Sequence, residues 1–178
     1  KDSAMDIREP SSAVDAPEAK DRADWKEYDA GKEKWKAEWD DYNAQKKQDA
    51  AEWDKWNAER AESKEDRDYY AAQAADHMSE SHDYKEEAAE HRAERADLQQ
   101  EAAEIRSDLA TDADQKWDLD QAAEQRGEDA QAWREEAAQQ EKASDQWEDK
   151  AWEIRHEGLP ARRCLASYET RALRPKEQ

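Results

Sequence analysis

The side chains able to do chemistry are few in kind and spread along the chain. His77 and His91 stand 14 residues apart with Tyr84 midway between them. Imidazoles at equivalent positions could form a pH-sensitive layer or an adventitious metal site. A polar layer in a packing seam accounts for the same spacing, so His77 and His91 are read as candidate polar layers and not as ligands. His82 and His156 lie off that stripe. Among 49 Asp and Glu residues, no pair sits in the apolar setting that would raise a carboxyl pKa for general acid–base work. Asp112-Ala113-Asp114 lacks the glycine and terminal Glu of a calcium loop, and three dispersed glycines cannot build a phosphate cradle. Cys164 is the single cysteine, which excludes an intramolecular disulfide and a cysteine-cluster metal site. Beside Arg162 and Arg163 its thiol could have a lowered pKa, or it could join two chains through an intermolecular disulfide. The expectation is a protein that is not an enzyme and has neither cofactor nor metal site.

What holds these side chains in place has to be helix. The chain of 178 residues has six Leu, three Ile, one Val and no Phe, and 44 % of it is charged. So small an apolar inventory cannot offset the ordering entropy of an ordinary globular core. Nine Trp and six Tyr argue against simple disorder, and Pro is absent between Glu18 and Leu159. The residues of that run are mostly strong helix formers.

Written in lines of 14 from Trp25, the sequence falls into columns. Trp25, Trp39 and Trp53 head the first, followed by Arg67, Ser81, Arg95 and Leu109. Tyr28, Tyr42, Trp56, Tyr70, Tyr84 and Leu98 form the fourth. The eleventh holds Trp35, His77, His91, Ile105, Leu119, Trp133 and Trp147, with Ile154 in the same heptad phase. Fourteen residues are two heptads, so these columns form one stripe at the spacing of a coiled-coil seam. The phase never slips from Trp25 to Ile154, through Gly31, the Thr111-Asp112 region and Gly127 alike. An inserted turn normally breaks phase, so the expected fold is all-α. It is a single very long α-helix over 18–157, about 210 Å long, acting as a coiled coil or helical rod. Residues 1–17 are expected to be an extended or disordered arm. Residues 158–178, opening on Gly158-Leu159-Pro160, are expected to be a helix stop and short basic tail.

Such a stripe on a straight helix has no core of its own and requires partners. Flanking charges five residues apart, such as Glu59 and Lys64, Glu80 and Lys85, Glu87 and Arg92, Glu101 and Arg106, and Asp129 and Arg134, favour a parallel homo-oligomer. Lys32, Lys46 and Arg60 within the stripe favour instead a stagger that stacks them on Trp25, Trp39 and Trp53 of a neighbour. Trp117, Trp152 and Tyr69 lie off the stripe and hint at a second contact surface.

Net charge is −20, with −21 on residues 18–157 and +3 on 158–178. That distribution disfavours nucleic acid and anionic lipid as partners, and no segment is apolar enough to span a bilayer. A start at Lys1 in place of Met is compatible with a processed secreted or organellar protein. Two functions fit: a self-assembling structural coiled coil, such as a filament, sheath or spacer, or an accessory strut docked across a larger complex. In both, the partners are proteins: copies of the chain or subunits of an assembly.

Overall fold

The computed structural model describes residues 16–156, and the arm, the tail and Cys164 lie outside them save for the arm's last two residues. Within the described residues the chain is all helix, in three lengths: α1 (Ala16–Arg60), α2 (Lys64–Leu109) and α3 (Ala113–Arg155). The single rod is therefore not formed. It is cut at 61–63 and at 110–112, the second cut falling at Thr111, whereas Gly127 stays inside α3. Each cut is closed by a cap. Ser63 Oγ accepts the Asp66 N–H at 2.9 Å, and Asp112 Oδ1 accepts the Asp114 N–H at 3.0 Å. Acids in the first turn of each following helix suit the positive end of its dipole.

The phase survives both turns for a simple reason. The caps Ser63 and Asp112 are 49 residues apart, which is seven heptads. A helix plus its loop is thus a whole number of heptads, though not of 14-residue repeats, and the heptad phase passes through the turns unaltered.

The helices are held by alanine. In α1, Ala23, Ala30, Ala37, Ala44, Ala51 and Ala58 recur every seven residues and are all buried, as are Glu33, Asp40 and Asp54 on the adjacent row. In α3 the buried set is Ala123, Ala130, Ala137, Ser144 and Ala151, again every seven. The middle helix α2 has two such faces. Ala74, Ser81, Ala88 and Ala102 meet α1, where the buried Ser81 hydroxyl donates to the Ala44 carbonyl at 2.9 Å. On the other side Ser79 Oγ lies 2.9 Å from Ser144 Oγ of α3, and Ser107 donates to Asp120. Side chains this small let two helix backbones approach closely, and alanine adds the highest helix propensity at no rotamer cost.

Both interfaces are antiparallel and built alike. Arg106 of α2 pairs with Glu27 of α1, and Arg155 of α3 pairs with Asp76 of α2, so both partners shift by 49 residues. Each helix therefore has a leading face, in phase with Ala23 and Glu33, which packs on the next helix. It also has a trailing face, in phase with Trp25 and Tyr28, which receives the helix before it. α1 and α3 approach within 8 Å, Cα to Cα, nowhere. The side chain of Lys55 nevertheless reaches across, its ammonium 5.7 Å from the centre of the Trp147 ring.

The charges that suggest a parallel homo-oligomer are engaged within the chain. Glu80 pairs with Lys47, Glu101 with Lys26, Arg92 with Asp41 and Arg134 with Asp97. Flanking charges serve an antiparallel seam as well as a parallel one, and spacing alone does not choose between them.

Candidate functional site

In a chain that alternates leading and trailing faces, two faces have no neighbour among the described residues. These are the trailing face of α1 and the leading face of α3. The trailing face of α1 holds Trp25, Tyr28, Trp35, Trp39, Tyr42, Trp53 and Trp56, all exposed, with Trp35 at 74 %. They run along one side of one helix for about 46 Å. Monomeric proteins rarely expose so long a contiguous apolar surface without using it.

The ridge is ordered by the repeat. Trp25 and Tyr28 meet edge to face at 5.7 Å, Trp39 and Tyr42 lie 5.8 Å apart, and Trp53 stacks on Trp56 at 5.1 Å. One turn further on, a cation covers the second ring of each pair: Lys32 over Tyr28 at 4.5 Å, Lys46 over Tyr42 at 5.5 Å and Arg60 over Trp56 at 4.0 Å. Each unit of two rings and a cation recurs after 14 residues, about 21 Å along the helix. The cations thus stack on Tyr28, Tyr42 and Trp56 of their own helix, where the i,i+4 spacing brings them together, and not on Trp25, Trp39 and Trp53.

The same columns behave differently in α2 and α3, because there the trailing face is occupied. Tyr70, Tyr84, Leu98 and Ile105 of α2, Leu109 at its end, and Leu119, Trp147 and Ile154 of α3 are half-buried along the seams. Trp133 is 36 % exposed, with the Arg92 guanidinium 4.9 Å from its ring centre. Trp117 and Trp152 prove to lie on the leading face of α3, the other unoccupied face, with Gln121, Glu124, Glu128 and Glu135. The sequence signal for the true seam is the alanine heptad from Ala23 to Ala58, which helix propensity alone does not distinguish from the rest of the alanines.

His77 and His91 sit between α1 and α2. His77 Nδ1 lies 3.0 Å from Asp54 Oδ2, and His91 Nδ1 lies 2.7 Å from Glu33 Oε2, so each imidazole faces buried acid on another helix and not its own copy. His82 lies on the α3 side, its Nδ1 2.7 Å from Gln140 Oε1.

Several carboxyls on these helices are held above their ordinary range. Burial raises Glu86, and Glu141, Glu90, Asp83 and Glu87 around it add to the effect. Burial likewise raises Glu87, beside Asp40, and Asp40 itself. A raised folded-state pKa means that the folded form binds the proton more tightly, so stability increases as pH falls through those raised values. Glu33 has the opposite sign: burial is the largest single influence and would raise it, but the hydrogen bonds and charges of Lys36 and His91 together outweigh it and hold it low. Its contribution is lost only in stronger acid. The melting temperature is expected to rise as pH is lowered from neutral into the range just above the ordinary carboxylate values, and Glu86→Gln is expected to raise it at neutral pH while reducing that gain. A melting curve that falls over this interval contradicts the assignment.

Among the described residues no helix is long and apolar enough to cross a membrane. No family model matches the chain, and neither a curated protein nor a solved structure matches it.

Proposed function

We propose that the chain is a structural self-assembling protein whose copies join through the two unoccupied faces, the leading face of α3 in one copy meeting the aromatic ridge of α1 in the next. The observation that carries this reading is the ridge: seven exposed aromatics on one helix of a molecule whose other two helices cover the same columns. The leading face of α3 is acidic, with Glu124, Glu128 and Glu135 beside Trp117 and the single Lys142, whereas the ridge offers Lys32, Lys46 and Arg60 among its aromatics, with Glu18, Asp21 and Asp49 in the same rows. Joining two different faces is heterologous, and heterologous contacts that do not close into a ring grow into filaments.

The joint cannot copy the internal seams. Trp25, Trp39 and Trp53 occupy the row where α2 has Ala74, Ser81 and Ala88, so backbones cannot come as close. It is accordingly an aromatic interface of the kind that holds separate proteins together, in which a few Trp, Tyr and Arg side chains supply most of the affinity.

Sedimentation velocity across a concentration series tests the proposal. Mass is expected to grow with concentration, and Trp39→Ala with Trp53→Ala is expected to leave a monomer of unchanged helicity. A wild-type chain that is monomeric at all concentrations removes self-assembly and favours the strut, in which the ridge docks on a different protein.

A further inference from the structure

We propose that Glu33, His91 and Glu94, where α1 meets α2, form a site for a first-row divalent metal ion of the zinc type. The three offer His91 Nδ1 and two carboxylate oxygens, all within 4.8 Å of one another. Ligand atoms on a common metal stand up to roughly 4.2 Å apart, twice a bond of about 2.1 Å. The exposed side chain of Glu94 therefore has little distance to close.

The centre of the argument is Glu33. It is 6 % exposed, and its Oε2 is buried without a hydrogen-bond partner, although it lies 2.7 Å from His91 Nδ1. Lys36 serves the other oxygen, Oε1, at 2.7 Å. A buried carboxylate oxygen met only by a poorly aligned imidazole is incompletely satisfied, and a second carboxylate converges on the same point. Behind the imidazole, Asp40 Oδ2 lies 3.7 Å from His91 Nε2. At that separation it is a charged neighbour and not yet a hydrogen bond; a shift of less than about 1 Å would give the carboxylate–histidine arrangement that turns Nδ1 toward a metal. An imidazole with carboxylates suits first-row ions such as zinc better than calcium or magnesium, which take oxygen alone.

The repeat supplies its own comparison. Fourteen residues away, His77 stands for His91, Asp54 for Asp40 and Glu80 for Glu94, but the place of Glu33 is taken by Lys47, which pairs with Glu80. There the chain provides the cation itself. In the His91 layer a glutamate, held on its other oxygen by Lys36, stands in the place of that lysine, so an imidazole and two carboxylates converge and an ion from solution completes the layer. This inference does not depend on the assembly proposed above.

The test uses the full chain carrying Cys164→Ser, so that the thiol cannot bind metal, stripped with chelator and titrated with Zn²⁺ by calorimetry. One site per chain is expected, with a higher melting temperature when loaded. His91→Ala and Glu94→Gln are each expected to abolish that site, and Asp40→Asn to weaken it by about 10- to 100-fold. His77→Ala is expected to leave it intact. Glu94 is on the surface, so its variant reads the site without threatening the fold. Co²⁺ in place of Zn²⁺ is expected to give an absorption band that disappears with His91→Ala. Absence of a stoichiometric site, or a Zn²⁺ isotherm that Glu94→Gln and His91→Ala leave unchanged, overturns the proposal.

Discussion

Ala88→Leu is expected to destabilise the chain by at least the about 1–3 kcal/mol that added methylenes cost in a filled core. Ala88 is fully buried on the side of α2 that meets α1. A leucine there has no cavity to enter and no aromatic to displace, because the opposing rows are the alanines of α1 and that helix's own backbone. Relief requires the two helices to separate along their length, which also lengthens the pairs of Lys47 with Glu80 and Arg92 with Asp41. Denaturant melts of Ala88→Leu against Ala132→Leu, an exposed site in α3, give the comparison. The surface substitution is expected to fall within about 0.5 kcal/mol of wild type. Equal stability of the two variants would mean that close alanine packing does not hold α1 to α2.

The second large effect concerns the joint between copies. Reversing Lys46 and Arg60 to Glu places like charges against Glu128 and Glu135 and is expected to weaken association at least tenfold at low salt. Reversing Glu128 and Glu135 to Lys is expected to do the same from the other side. Combining a ridge-reversed chain with an α3-reversed chain brings opposite charges together again, and heterodimers are expected while neither chain assembles alone. Mixed sedimentation in 50 mM and 500 mM salt, roughly Debye lengths of 14 Å and 4 Å, reads the outcome. If each reversed chain still assembles as wild type does, the two faces are not partners. If the ridge alone matters, the contact is ridge on ridge.

Helix content was legible because propensity and periodicity agree over the whole middle of the chain. The number of helices was not. Ser63 and Asp112 are good caps, but neither turn contains the glycine or proline that normally marks one. Continuity of phase, which ordinarily excludes a turn, is blind to a turn placed every seven heptads. The columns of large residues were visible, yet one column has two environments: Tyr84 is half-buried because α1 covers it, and Tyr42 is exposed because no described helix packs on that face of α1. Chain order, not residue type, sets that difference. Convergence of Glu33 with His91 and Glu94 was equally hidden, since 58 residues separate the first two and only the antiparallel register brings them together.

Because α2 alone packs along both neighbours, the described helices have two interfaces in series, and the outer two meet only through the long side chain of Lys55 reaching Trp147, with no backbone packing between them. Its stability is then close to a sum of three helix terms and two nearest-neighbour terms, as in a short linear lattice. Contacts run between sequential helices, a pattern that favours rapid folding. Cooperativity is limited by the weaker link. Either outer helix can detach while the remaining hairpin keeps its seam, so amide exchange should divide into separate blocks and leave the centre of α2 as the last region to open.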